Sequence, residues 1–93
     1  MATNEEIAAV FDELAALLER KGDLVFKIRA YRRAASTLRG LPFSIEERVA
    51  RGDSLRKIPG IGEAIDKKIR EYVGTGKVQT LERLRSELGD MRV

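Results

Sequence analysis

The sequence predicts an all-α fold, a compact bundle of four main helices with shorter ones between them. Three observations carry this. Apolar residues recur at steps of three and four through most of the chain. No stretch of six residues alternates as a strand would. Glycines, prolines and capping residues divide the chain into helix-length segments joined by short connections. At 93 residues the chain is long enough for one core and too short for two, so residues 1–93 are expected to form a single domain.

The first helix opens at Thr3, with Glu6 three residues on in the capping-box pattern. Its apolar face is Ile7, Val10, Phe11, Leu14, Leu17 and Leu18, and Gly22 stops it after Arg20 and Lys21. Asp23 is placed to cap the second helix, whose inner face is Leu24, Ile28, Tyr31, Ala35 and Leu38, and which Gly40 and Pro42 end. A shorter helix starts at Ser44, with Glu47 as its capping glutamate, and runs to about Gly52. Asp53 or Ser54 opens a fourth, very short helical piece that breaks at Pro59-Gly60. A fifth helix spans about Glu63 to Val73 before Gly74-Thr75-Gly76, and a last one carries Val78, Leu81, Leu84 and Leu88 up to Gly89. Helices of this length are marginal alone, so their stripes must pack together, at about 1.5–3 kcal/mol per buried Leu, Ile or Phe.

Composition excludes several chemistries. The chain has no cysteine and no histidine. A disulfide scaffold, the usual zinc ligands, cysteine catalysis and a Ser-His-Asp triad are therefore ruled out. No apolar run approaches the roughly 20 residues of a membrane span, and the first ten residues are acidic where a signal peptide is basic. A cytoplasmic location is the expectation, or a nuclear one in a eukaryote. The net charge of +3 is unevenly spread. Residues 1–22 hold five acidic and two basic side chains, whereas residues 23–40 hold one acidic and five basic. An acidic helix beside a basic one polarises the surface and favours a polyanionic partner.

The most informative segment is Leu55-Arg56-Lys57-Ile58-Pro59-Gly60-Ile61-Gly62-Glu63-Ala64-Ile65-Asp66-Lys67-Lys68-Ile69. Leu55 and Ile58 anchor a short turn that Pro59 ends. Gly60 and Gly62 permit unusual backbone angles and leave no Cβ to obstruct close approach. Ile61 between them can plug the turn into the core. The next helix starts at once, so its unbonded N–H groups stand beside two bare glycines, with Arg56 and Lys57 adjacent. Such a helix start attracts phosphate through hydrogen bonds and its dipole.

This segment resembles the helix-hairpin-helix motif of DNA-repair and replication proteins, hxxhPGhGxxhxxxh with h apolar. The resemblance implies contact with the sugar-phosphate backbone through the amides at Gly60 and Gly62, without reading base sequence. It also implies a monovalent cation, Na+ or K+, held by the carbonyls of Arg56, Ile58 and Ile61. Beyond the hairpin, Phe26-Lys27-Ile28-Arg29-Ala30-Tyr31-Arg32-Arg33-Ala34-Ala35 and Ile69-Arg70-Glu71-Tyr72-Val73-Gly74-Thr75-Gly76-Lys77-Val78 are similar to the N-terminal domain of family X DNA polymerases, the group of polymerase beta. The matching pieces cover most of residues 5–88. Structure-specific nucleases carry a related N-terminal domain and are the nearest competitor.

That resemblance implies a module that binds the 5′-phosphate at a DNA gap. Lys27 and Tyr31, four apart on one helix face, match the phosphate-binding pattern. In some members a lysine attacks the aldehyde of a 5′-deoxyribose phosphate, forms a Schiff base and drives β-elimination with no cofactor, and Lys68 matches that nucleophile. By helical geometry Lys68 lies at the margin of the stripe of Ile65, Ile69 and Tyr72, while Lys67 points to solvent. The pattern is incomplete. Phe26 stands where polymerase beta has a histidine, and Ala64 and Thr80 replace lysines, although Ala64 still falls at a DNA-facing position. Three functions are open: a nonspecific DNA-binding module for gapped or 5′-phosphorylated ends, a 5′-deoxyribose-phosphate lyase, and a protein-interaction domain on the same fold. The chain has no room for a polymerase palm domain or its two-magnesium carboxylates. The expected partners are DNA and, within a longer chain, polymerase domains. The domain itself is expected to be monomeric.

Overall fold

A computed structural model describes residues 2–89. They form five helices: α1 (Asn4–Lys21), α2 (Val25–Gly40), α3 (Ile45–Ala50), α4 (Glu63–Thr75) and α5 (Gln79–Gly89). There is no strand among the described residues. The all-α class is as expected, with four longer helices and one short one.

α1 is set by its ends. The Thr3 hydroxyl accepts the Glu6 amide at 3.0 Å. At the other end Gly22 takes a left-handed φ of 79°, which lets its amide reach Glu19 O and the Asp23 amide reach Leu18 O. Between these caps α1 buries Ile7, Phe11, Leu14 and Leu18. It packs on α2, where Ile28, Tyr31, Ala34, Ala35 and Leu38 face inward. The two alanines have no exposed surface and let the helices approach closely. The rings of Phe11 and Tyr31 stack across the seam with centroids 5.9 Å apart. α5 covers another side of α1 with Leu81, Leu84 and Leu88.

Ion pairs line the outside of these seams. Arg39 of α2 reaches back to both Glu5 at 2.8 Å and Asp12 at 2.6 Å on α1. Its hydrogen bonds hold the Glu5 carboxyl below the usual carboxylate range and raise the guanidinium further. Arg32 pairs with Glu19, and Arg85 of α5 with Glu13 of α1. At the far end of the bundle Asn4 bridges α1 to the start of α3, donating to Phe43 O and accepting from the Ile45 amide.

Four details differ from the sequence reading. Asp23 does not occupy the cap position of α2. Its amide completes the end of α1, and its carboxylate accepts the adjacent Leu24 amide at 2.7 Å, so the N-cap position falls to Leu24, which makes no side-chain cap bond. Leu24 is consequently not on the inner face. It is 54% exposed, beside Val25 and Phe26 at 59% and 68%. The expected fourth helical piece is instead two successive turns, closed by Ile58 N to Leu55 O and Ile61 N to Ile58 O. Pro59 offers no amide and turns the preceding residue away from helical angles, and too few residues precede it for a helix. Finally, α4 continues two residues beyond Val73, to Thr75, where Gly76 at φ 79° ends it.

The turn segment is held from both sides. Leu55 is fully buried and Ile61 is 3% exposed, so both ends are pinned in the core. Between them Gly60 adopts φ 92°, and a Cβ there would lie 2.8 Å from the Thr37 hydroxyl oxygen of α2. That hydroxyl donates to Pro59 O at 3.4 Å. Gly62 is different: its φ of −87° is ordinary, and a Cβ would meet nothing within 4 Å. Gly60→Ala is therefore expected to cost about 1–3 kcal/mol through strain and the clash with Thr37. Gly62→Ala is expected to cost under about 1 kcal/mol, the loss of a favourable cap residue. Chemical denaturation of both variants checks the contrast.

Candidate functional site

The start of α2 and the hairpin turn are about thirty residues apart in sequence and meet across one groove. The groove encloses about 390 Å³ and is lined by Phe26, Lys27, Ala30 and Tyr31 on α2, and by Gly60, Gly62, Glu63, Ala64 and Ile65 on the hairpin side. Five positions singled out from sequence thus fall together: Lys27, Tyr31, Gly60, Gly62 and Ala64.

The hairpin wall presents main-chain groups. Gly62 is the N-cap of α4 and has no side chain to cap with. The first intrahelical amide to find an acceptor is that of Asp66, bonded to Gly62 O at 2.9 Å. The amides of Gly60, Gly62, Glu63, Ala64 and Ile65 have no acceptor among the described residues. They are the orphan donors of a helix start, concentrated by the dipole and left accessible by the missing side chain at Gly62. The carbonyls behind them are also open. Ile58 O accepts the Ile61 amide, but Arg56 O and Ile61 O accept nothing among the described residues. Neutral oxygen donors of this kind fit a hard monovalent cation. No group of three acidic, histidine or cysteine side chains that could hold a metal occurs among the described residues.

The opposite wall is aromatic and cationic. Tyr31 is 9% exposed and serves two purposes, since its ring both stacks on Phe11 in the core and lines the groove. Lys27 is exposed and its ammonium lies 3.8 Å from the Asp23 carboxylate, a loose pair. Phe26 stands at the lip.

Lys68 is not among the residues lining the groove. It is half-buried on α4, and its Nζ lies 5.7 Å from the centroid of the Tyr31 ring. This cation–π contact holds the amine beside a groove residue, at the apolar margin that helical geometry predicts. Lys67 points away and pairs with Glu63 at 3.7 Å. Lys57 is exposed with no acidic partner among the described residues. Arg56 is more engaged than expected, facing Glu63 at 3.6 Å and Asp66 at 3.5 Å.

Asp66 was not anticipated. It is 8% exposed, the one buried charged residue among those described. Its carboxylate accepts from Arg70 Nε at 2.7 Å, and Arg70 in turn donates to Asp53 O at 2.8 Å. Asp66 thereby ties α4 to the start of the turn segment, directly through Arg56 and indirectly through Arg70 and Asp53. The spacing of Asp66 and Arg70, four apart on a helix, is the signal that could have found this pair.

Comparison with known proteins adds two findings. A family model described as "Helix-hairpin-helix domain" matches residues 2–78. The chain is also 34% identical over 84 residues to "DNA polymerase/3'-5' exonuclease PolX" of Bacillus subtilis (strain 168), a match covering 90% of this chain and 14% of that protein.

Removing the buried carboxylate should loosen the turn segment. Asp66→Ala is expected to lower stability by about 1–3 kcal/mol, because it orphans the Arg70 Nε–H and leaves Arg56 with Glu63 alone. Amide hydrogen exchange should quicken at Ile58 and Ile61 while the α1–α2 seam stays protected.

Proposed function

The chain belongs to the helix-hairpin-helix domain family, and from that premise we propose that it binds DNA without reading base sequence and favours gapped, 5′-phosphorylated ends. The observation that carries this is the set of acceptor-free amides around Gly62, facing Lys27 and Tyr31 across one groove. Gly62 has ordinary backbone angles and free space where a Cβ would go. Its own fold does not require a glycine there, whereas a strand backbone approaching the amides does. Phosphate is the ligand whose chemistry suits such donors. Contacts of this kind are the same for every base, so they fix position without specifying sequence.

In this reading the amides of Gly60, Gly62 and Ala64 hold diester phosphates, with Lys57 and Arg56 supplying positive potential nearby. Lys27 and Tyr31 take the terminal 5′-phosphate. Na+ or K+ fits at the carbonyls of Arg56, Ile58 and Ile61, where it would add positive charge beside a phosphate. The chain spans 14% of the length of its PolX relative. We assign it the DNA-positioning role in a protein of that type, with nucleotide transfer left to other domains.

A lyase reading is favoured by one observation, the placement of Lys68 against Tyr31. In this reaction the amine adds to the sugar aldehyde and loses water to give an iminium. Loss of a C2′ proton then expels the 3′-linked phosphate. Ala64 and Phe26 provide no cation to seat the sugar phosphate, so the expected rate is low. Misplacement by about 1 Å can cost a hundredfold.

Titration of a one-nucleotide-gapped duplex tests the DNA reading. Gly62→Val is expected to weaken binding roughly tenfold or more, the worth of one charge-assisted contact, with helicity retained. A 5′-phosphate should be preferred to a 5′-hydroxyl by a similar factor, and Lys27→Ala should abolish that preference. Equal binding by Gly62→Val and the parent would remove the hairpin from the contact. Borohydride trapping on an incised abasic site tests the second reading. An adduct lost in Lys68→Ala and kept in Lys67→Ala supports it, and no adduct in the parent leaves a binding module alone.

A further inference from the structure

Five cations lie on α2: Lys27, Arg29, Arg32, Arg33 and Arg39. Arg32 and Arg39 are tied to acids of α1, and Lys27 stands near Asp23. Arg29 and Arg33 have no acidic partner among the described residues. Of these two, Arg33 lies against the hairpin. A Cβ built on Gly60 would sit 3.4 Å from Arg33 Nε and 3.5 Å from its Cγ. The Arg33 stem therefore packs over the bare face of the glycine. One turn further along α2, Thr37 bonds the carbonyl of Pro59. The head group remains exposed. Its stem is already ordered by the hairpin, and nothing in the fold uses its charge.

We propose that Arg33 is a further phosphate-binding residue, holding the strand phosphate adjacent to the one taken by the hairpin amides. The inference rests on the DNA-binding reading above and extends its footprint from the groove along α2. A guanidinium suits this place because its planar fork presents two parallel donors to phosphate oxygens. Arg33 touches Gly60, whereas the pocket for the terminal phosphate is built on Lys27, almost two turns earlier on α2. The Arg33 contact should therefore be indifferent to the state of the 5′ end.

The test is a titration of the intact chain with one-nucleotide-gapped duplex at several salt concentrations, comparing the parent with Arg33→Gln, Arg33→Lys and Arg29→Gln. Arg33→Gln is expected to weaken binding about tenfold at low salt, alike on 5′-phosphate and 5′-hydroxyl ends. It should also make the dependence of log K on log salt shallower by about 0.7–0.9, the signature of one lost phosphate contact. Arg33→Lys should restore the slope and part of the affinity. Thermal melting of each variant confirms that the exposed substitution leaves the fold intact. If Arg33→Gln does lower melting, the Arg33→Lys slope decides. Unchanged affinity and slope in Arg33→Gln, or equal losses in Arg33→Gln and Arg29→Gln, overturn the assignment. If the parent fails to bind, the DNA reading falls with it. If Gly62→Val is weakened while Arg33→Gln is not, this inference alone falls.

Discussion

The seating of one turn on α2 is the constraint on which the rest of the site depends. Leu55 and Ile61 are buried at either end of that turn, and Gly60 between them passes so close to Thr37 that no side chain fits. This contact fixes where α4 starts and which way its first amides face. Moving the turn by the width of a methyl group would redirect the hairpin wall and open the groove to α2. Its geometry is also inherited from the core, because Tyr31 is shared between the two. A residue stacked on Phe11 has little freedom to relocate.

Charge is divided with similar economy. The acidic face of α1 neutralises Arg32 and Arg39 of α2 and Arg85 of α5, so much of the chain's basic character is spent in holding helices together. Exposed pairs of this sort contribute little stability each, and they screen away with salt. Near the hairpin, Lys57 on the turn and Arg33 beside it keep no acidic partner among the described residues, and Lys27 is only loosely paired. The modest net charge of the sequence therefore understates the positive potential near the hairpin.

The helices were legible because they rest on local signals. Periodicity marked α1, α2, α4 and α5, and Thr3, Ser44 and Gly22 mark ends that the structure keeps. The same logic failed where two local signals competed for one residue. Asp23 has the chemistry of a cap, but the end of α1 takes its amide first, and this leaves Leu24 outside the core. Between Asp53 and Ile58 the pattern suggested a helix that Pro59 leaves no length to form. The hairpin residues were legible from the two glycines and their apolar flanks. The groove was not, since the meeting of Phe26, Lys27 and Tyr31 with Gly60, Gly62 and Ala64 is a tertiary event with no trace in spacing. Arg33 is illegible for the same reason, whereas the four-residue spacing of Asp66 and Arg70 is a local signal. The significance of Arg33 lies in the Gly60 backbone it packs against, and that of Asp66 in the two arginines it holds.

A wall made of main-chain donors has an evolutionary consequence. The amides of Glu63 and Ala64 are present whatever residue other than proline those positions carry, provided the helix begins at the same place. Mutation can therefore rewrite the rim of the groove, at Phe26, Lys27 and Ala64, without disturbing the donors beneath. The two glycines stand under different kinds of selection. Gly60 is restrained by the chain's own folding, and any lineage that keeps the turn must keep it. Gly62 is free of that restraint, so its retention among descendants would record use rather than architecture, and its loss would mark a lineage in which the hairpin has stopped touching anything.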